Sequence, residues 1–156
     1  MYITITDNDV FYKGKKGTRK YLYELLPTVK PFGMTFQRRC IISSPKPYGN
    51  FFQELYDTSN LKNVNRNFDA IGFYDSTFGQ NFYNVAEKRF FISAPNMGNV
   101  SNANIPPTRI AIFSFKSTKT NGTTYYSHGV FCLHGYDAVK QRWVLDKVDS
   151  NIVYDF

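Results

Sequence analysis

The chain has 156 residues, enough for one domain with its own core, and its 18% aromatic content favours β-strands over helices. Nineteen Lys and Arg residues outnumber 12 Asp and Glu residues, so the formal net charge is +7 and an anionic partner is worth testing. Two cysteines, Cys40 and Cys132, are too few for a disulfide framework, and no segment approaches the ~20 apolar residues of a membrane-spanning helix.

The first residues of the chain have the pattern of strands and not that of a signal peptide. MYITITDNDV has charges where a signal peptide has an apolar run, so we expect synthesis in a reducing cytosol. Alternation over Tyr2–Thr6 predicts a half-buried strand, and Val10–Tyr12 follows a turn as a second extended segment. Tyr21–Leu26 fits either a short helix or another strand.

The middle of the chain mixes strand and helix signals. Arg39–Ser43 and Phe68–Tyr74 read as strands, and Arg89–Ala94 is extended. Phe51–Tyr56 has spacing compatible with one or two helical turns. Thr77–Lys88 is a second place for a helix, although Gly79 and several aromatic residues weaken that signal.

The last third gives the firmest strand pattern. Before it, the stretch Pro95–Pro107 is too long for a plain connection, and loops of this length are usually functional or disordered. The turn formers Asn121-Gly122 predict a hairpin, because both residues tolerate the positive φ of a tight turn. The strands predicted around them are Ile110–Phe115, Tyr125–His134, Gln141–Val148 and the short edge Ile152–Tyr154.

These elements predict a single, mainly β domain over residues 1–156. The expected architecture is a sandwich or partly open barrel of about seven to nine strands with one or two short helices, and the alternative is an α+β fold. Trp143 is expected to face the core, with Val130 or Leu145 near it, because the strand alternates and the indole is large and apolar.

His128, Cys132 and His134 form the most conspicuous chemical grouping, since the chain's two histidines lie on one predicted strand. Even spacing places all three on one face of a regular strand, but His128 and His134 would then lie about 20 Å apart. They cannot share one metal ion or act together on one phosphodiester at that distance. A zinc site at Cys132 and His134 would need further ligands such as Asp137, and we expect no bound metal or cofactor.

A basic cluster is the clearest local charge feature of the sequence. With Tyr21 and Tyr23 after it, the cluster could grip phosphates while the tyrosine rings stack on unpaired bases. Alternatively, its charges protect an edge strand from aggregation, which is the reading that we favour. The candidate anion-binding residues are Lys13, Lys15, Lys16, Arg19 and Lys20.

The absence of a catalytic motif, together with long polar loops and many aromatic residues, predicts a non-enzymatic interaction or assembly module with a protein partner or with itself. Its composition resembles that of virus or phage structural components, which would place it in a virion. Two alternatives remain from other classes. One is a nucleic-acid-binding domain that uses the Lys13–Lys20 cluster, and the other is a small hydrolase or nuclease that uses His128 or His134.

Overall fold

The structure is a computed structural model and describes residues 2–7, 9–11, 55–57, 65–95, 97, 100, 102–103, 105, 107–119 and 122–155. These residues form strands, turns and irregular segments, with no helix among them. In chain order the strands are β1 (Tyr2–Thr6), β2 (Val10–Phe11), β3 (Leu55–Asp57), β4 (Asn65–Arg66), β5 (Ala70–Asp75), β6 (Phe82–Asn84), β7 (Arg89–Ser93), β8 (Arg109–Thr118), β9 (Gly122–Asp137), β10 (Arg142–Asp149) and β11 (Asn151–Asp155).

The described strands form a large mixed sheet and a small one. The large sheet has the order β3-β5-β8-β9-β10-β7-β6, and β2 pairs with β9 beside this path. Strands β5 and β8 run parallel, whereas the other neighbouring strands run antiparallel. The small antiparallel sheet has the order β1-β11-β4. The fold is mainly β, as expected for a sandwich or partly open barrel.

The large sheet curls into a half-barrel. Tyr74 on β5 and Phe90 on β7 are separated by three strands, which would place them about 19 Å apart in a flat sheet. Their ring centroids are 5.7 Å apart. The buried side chain of Asn81 joins the same two strands, because its Nδ2 donates to the carbonyl of Asp75 and its Oδ1 accepts from the amide of Ser93.

The concave face of the half-barrel holds an apolar core, which described residues of the long loop Pro95–Pro107 cover at one end. Met97, Val100 and Ile105 pack against this core. Asn102 fastens the loop to β9, since its Oδ1 accepts from the amide of Tyr136 and its Nδ2 donates to the carbonyl of the same residue. The stretch predicted to be either functional or disordered therefore contributes at these positions to the core.

The small sheet packs on the other face of the large sheet. Ile5 of β1 and Ile152 and Tyr154 of β11 are buried in one cluster with Ile71 and Phe113 of the large sheet. Strands β5, β8 and β9 therefore carry buried apolar residues on both faces, as expected for strands between two layers. The predicted strand Ile110–Phe115 lies in this doubly covered part.

The helix expected at Thr77–Lys88 is wrong. This segment contains the strand β6 between turns, and its residues Phe82 and Tyr83 pair with β7 in a hairpin instead of following a helical face. The helical turns expected at Phe51–Tyr56 are also contradicted where the chain is described, because Leu55–Asp57 is a strand paired with β5. The predicted segments Tyr21–Leu26 and Arg39–Ser43 lie outside the described residues.

The expectation for Trp143 is confirmed. Its side chain is fully buried on the concave face, in one cluster with Leu145, whereas Val130 belongs to the cluster on the opposite face. The rings of Trp143 and Tyr136 pack in an edge-to-face arrangement, with their centroids 5.1 Å apart. The largest apolar group of the chain thus fills the covered end of the half-barrel.

The hairpin expected near Asn121-Gly122 is present. Strands β8 and β9 pair antiparallel, and Thr118 faces Gly122 across the pair. Gly122 has a φ of 64°, in the left-handed region that glycine tolerates, while Asn121 lies outside the described residues. Because Gly122 already pairs with Thr118, it begins the returning strand β9.

Candidate functional site

The concave face of the half-barrel changes from apolar to polar toward its open end. On β8 the buried Ile112 is followed on the same face by Ser114, and on β10 the buried Leu145 is followed by Lys147. We call this end, which the described residues leave open, the mouth. Besides Ser114 and Lys147, the mouth contains Ser76, Tyr83, Lys116, Tyr126 and His128.

A β-bulge in β9 turns His128 into the mouth. The pairing register of β8 with β9 shifts between Ala111 and Phe113, so β9 contains one extra residue at this level. Gly129 lies in the bulge with a φ of 89°. A Cβ atom at this position would overlap the carbonyl oxygen of Asp149, so both the backbone conformation and the space require glycine.

His128 is held between a serine and two aromatic rings. Its Nε2 lies 2.6 Å from the Oγ of Ser114, and its ring centroid is 5.5 Å from those of both Tyr83 and Phe90. Burial lowers the pKa of His128 from 6.5 to about 4, an effect that the Asp7 carboxylate opposes and the Lys147 ammonium adds to. The imidazole is therefore neutral at physiological pH.

An ion pair forms the adjacent wall of the mouth. The Nζ of Lys147 contacts the Oδ2 of Asp7, and only 7% of the Lys147 side chain is exposed. The same ammonium lies 4.8 Å from the centroid of the Tyr83 ring. Because a buried lysine needs a counter-charge, Asp7 and the ring fix Lys147 in one position.

Two cavities meet at the His128–Tyr83 pair. The larger, of about 570 Å³, is lined by residues that include Asp7, Lys147 and Val148. The smaller, of about 260 Å³, lies toward β8 and is lined by Ser76, Phe82, Tyr83, Ser114, Lys116, Tyr126 and His128. Pockets in barrel mouths that combine apolar rings with a few polar groups are common ligand sites.

Ser76 gives the smaller cavity an unused hydrogen-bonding group. Its side chain is buried, with 5% of the residue exposed, and its Oγ has no hydrogen-bond partner among the described residues. The neighbouring Ser114 is equally buried and bonded to His128. Because buried hydroxyls usually have partners, the Ser76 hydroxyl indicates a place for a polar ligand atom.

The histidine and cysteine grouping does not assemble. His128 lies on the concave face, whereas Cys132 lies on the opposite face with Val130, because the bulge at Gly129 reverses the alternation between them. The even spacing that predicted one common face is therefore misleading. Burial raises the pKa of the Cys132 thiol, an effect that Arg109 partly offsets.

His134 is engaged on the outside of the sheet. Its Nδ1 lies 2.9 Å from the Oδ2 of Asp146, whose Oδ1 accepts from the Nε of Arg89. More than half of the His134 side chain is exposed. The carboxyl of Asp137, considered above as a further zinc ligand, accepts hydrogen bonds from the amides of Val139 and Lys140 in a turn.

The predicted anion-binding residues cannot be placed in this site. The cluster of Lys13, Lys15, Lys16, Arg19 and Lys20 lies outside the described residues.

Within the described part of the chain, no three His, Cys, Asp or Glu side chains are grouped to hold a metal ion. The described residues also contain no helix that is long and apolar enough to cross a membrane.

Sequence reasoning missed most of the mouth. Ser76 and Ser114 look like ordinary strand residues, and Tyr83 fell in a predicted helix. One usable signal was Lys147, which follows Trp143 and Leu145 at every second position and so places a charge on an otherwise apolar face.

Comparisons with known proteins identify no relative of this chain. No protein-family model matches the chain, and neither the curated proteins nor the solved structures contain a match.

Proposed function

We propose that the protein is a non-enzymatic binding module that holds its ligand or partner in the mouth of the half-barrel. The carrying observation is that the hydrogen-bonded pair of Ser114 and His128 is flanked by two cavities. The proposal keeps the interaction function expected from composition and gives it a location.

A rigid polar wall supports binding at this place. Ser114 and His128 are joined across neighbouring strands, and the Lys147–Asp7 pair holds the adjacent wall. Groups fixed in this way lose little conformational entropy when a ligand contacts them. The exposed side chains of Val85 and Val148 line the larger cavity and offer apolar contacts at its edge.

The lowered pKa of His128 favours a role in binding over a role in catalysis. A catalytic base works best with a pKa near the working pH, whereas burial lowers that of His128 to about 4. A neutral imidazole remains a good hydrogen-bonding group. The expected role in a virion or another assembly is compatible with this proposal, because assembly also requires a binding surface.

The two histidines provide a test with a built-in control. His128 lies in the mouth and His134 on the outer face, so the Cε1–H resonances of the two rings in ¹H–¹³C spectra report on the two places separately. Titration with phenol, benzamide and benzoate should move the His128 resonance saturably with at least one probe and leave that of His134 in place. If no probe moves the His128 resonance, the proposal is wrong.

A serine hydrolase is the second candidate, and the Ser114–His128 contact favours it. A hydroxyl within hydrogen-bonding reach of an imidazole is the arrangement of an activated serine nucleophile. In that role the Oγ of Ser114 would attack the carbonyl carbon of an ester while His128 takes the hydroxyl proton, which it would then give to the departing alcohol. The buried Ser114 and the low pKa of His128 rank this candidate below binding.

A fluorophosphonate probe separates the two candidates. The hydrolase candidate predicts covalent labelling of Ser114 that disappears in Ser114→Ala and His128→Ala and persists in His134→Ala. The binding module predicts no labelling of Ser114 in the native protein. Ester turnover that depends on both Ser114 and His128 would make the hydrolase the correct assignment.

A further inference from the structure

We propose that the smaller cavity of the mouth is a site for a small monocarboxylate with a flat, apolar body. The inference rests on the proposed function and adds the chemical class of the ligand. Its basis is the set of hydrogen-bond donors, charges and rings around the cavity of about 260 Å³.

The buried serines supply donors for oxygen atoms. Ser76 has a hydroxyl without a partner among the described residues, so a ligand oxygen would satisfy it. Ser114 can donate as well when His128 carries its proton on Nε2, because this N–H then donates to the Ser114 Oγ and leaves the serine proton available. A carboxylate has two acceptor oxygens, which matches two convergent hydroxyls.

The charges around the cavity favour one negative charge. Lys116 lines the cavity, and no Asp or Glu is among the described residues that do so. Asp7, which lines the larger cavity, is paired with Lys147. One ammonium with two hydroxyls matches a monoanion better than a phosphate dianion, and the net charge of +7 adds a long-range attraction for anions.

The remaining walls suit an aromatic or similarly flat group. Phe82, Tyr83 and Tyr126 line the same cavity. An apolar cavity of about 150 Å³ is enough to hold benzene, so 260 Å³ accommodates a ring together with a carboxylate. Benzoate is therefore the simplest probe, and benzamide is its neutral counterpart of nearly the same size.

The test measures binding of benzoate and benzamide at pH 7 by calorimetry and by the shift of the His128 Cε1–H resonance. Benzoate should bind with a dissociation constant of about 1 mM or tighter, and about tenfold more tightly than benzamide. Benzamide that binds as tightly as benzoate at His128 overturns the carboxylate assignment and leaves the binding module intact. If neither benzoate nor benzamide binds, the carboxylate assignment is wrong. If phenol does not bind either, the proposed function is wrong as well.

Variants identify the side chains that recognise the negative charge of benzoate. Lys116→Gln should weaken benzoate binding about fivefold and leave benzamide binding unchanged. Lys140→Gln is the matched control, because Lys140 is an exposed lysine in the turn between β9 and β10 at the covered end. Ser76→Ala should also weaken benzoate binding about fivefold. Equal affinities of the Lys116 and Lys140 variants for benzoate would overturn the assignment.

Inorganic phosphate is the competing anion. Phosphate should displace benzoate only at concentrations at least about tenfold above the benzoate dissociation constant. Tighter binding of phosphate than of benzoate at His128 would overturn the monocarboxylate assignment and show that the cavity recognises a phosphate group.

Discussion

The Nε2 of His128 lies 2.6 Å from the Oγ of Ser114, across the neighbouring strands β9 and β8. In the regular part of this pairing Ser114 faces Tyr126, and the imidazole reaches the serine from two residues further along β9. Because β9 has an extra residue at the Gly129 bulge, His128 faces Ser114 while β9 beyond the bulge still directs apolar side chains into the concave core. One local irregularity therefore connects the fold to its candidate site.

The stability of the protein should fall below pH 6.5 because of His128. Its pKa is about 4 in the folded chain, so between pH 6.5 and 4 the unfolded chain binds a proton that the native protein does not bind. Lowering the pH through this range should cost on the order of 2 to 3 kcal/mol of unfolding free energy.

Urea unfolding of wild type and His128→Gln at pH 7 and pH 4.5 measures this contribution. Between pH 7 and pH 4.5 the free energy of unfolding should fall less in His128→Gln than in wild type. In His134→Gln the part of the fall that His128 causes should remain. Equal losses in wild type and His128→Gln would contradict the buried, neutral imidazole.

Gly129→Ala should destabilise the protein more than Gly79→Ala. Both glycines have positive φ, but a Cβ at Gly79 meets open space, whereas at Gly129 it overlaps the carbonyl oxygen of Asp149. We expect a loss of about 1 kcal/mol for Gly79→Ala and at least about 2 kcal/mol more for Gly129→Ala in urea unfolding. The His128 Cε1–H resonance should move in the Gly129 variant alone. Similar losses for the two variants would show that the bulge relaxes freely.

Phe90→Ala tests the curl of the large sheet. Phe90 is fully buried and contacts Tyr74 across the concave face, whereas Phe78 is 83% exposed in a turn. The free energy of unfolding should fall by about 3 to 5 kcal/mol for Phe90→Ala and change by less than about 0.5 kcal/mol for Phe78→Ala. A loss below about 1 kcal/mol at Phe90 would mean that the sheet does not close around this ring.

Asn102→Ala tests the attachment of the long loop. The Asn102 amide bonds both backbone groups of Tyr136, and Gly135 leaves room for it because a Cβ there would approach the amide to 3.1 Å. The variant should lose about 1 to 2 kcal/mol, and acrylamide should quench Trp143 fluorescence more strongly than in wild type. Asn84→Ala, which removes one exposed turn contact to Glu87, is the control and should leave the quenching unchanged.

The fold class was predictable from the sequence because it depends on patterns that act locally. Alternation predicted the strand Tyr2–Thr6, and the apolar run Ile110–Phe115 predicted the central part of β8. The hairpin after Thr118 followed from turn chemistry. The helix expected at Thr77–Lys88 failed because pairing of β6 with β7 outweighs a weak local preference.

The candidate site was much harder to predict, since it depends on contacts between distant segments. The sequence marked His128 but grouped it with Cys132 and His134, because a bulge cannot be recognised from even spacing alone. Ser76 and Ser114 reach the mouth only through the parallel pairing of β5 with β8, which no local pattern encodes. The curl that brings Tyr83 beside His128 is likewise a property of the whole sheet.

The most direct measurement of the central claim, that the mouth is the binding site, is an isotope-filtered NOE spectrum of the ¹³C-labelled protein with bound benzoate. The protons of the benzoate ring should show contacts with the rings of Phe82, Tyr126 and His128, which line the smaller cavity. Contacts that lead instead to His134 or Val139, on the outer face and in the turn at the covered end, would contradict the account.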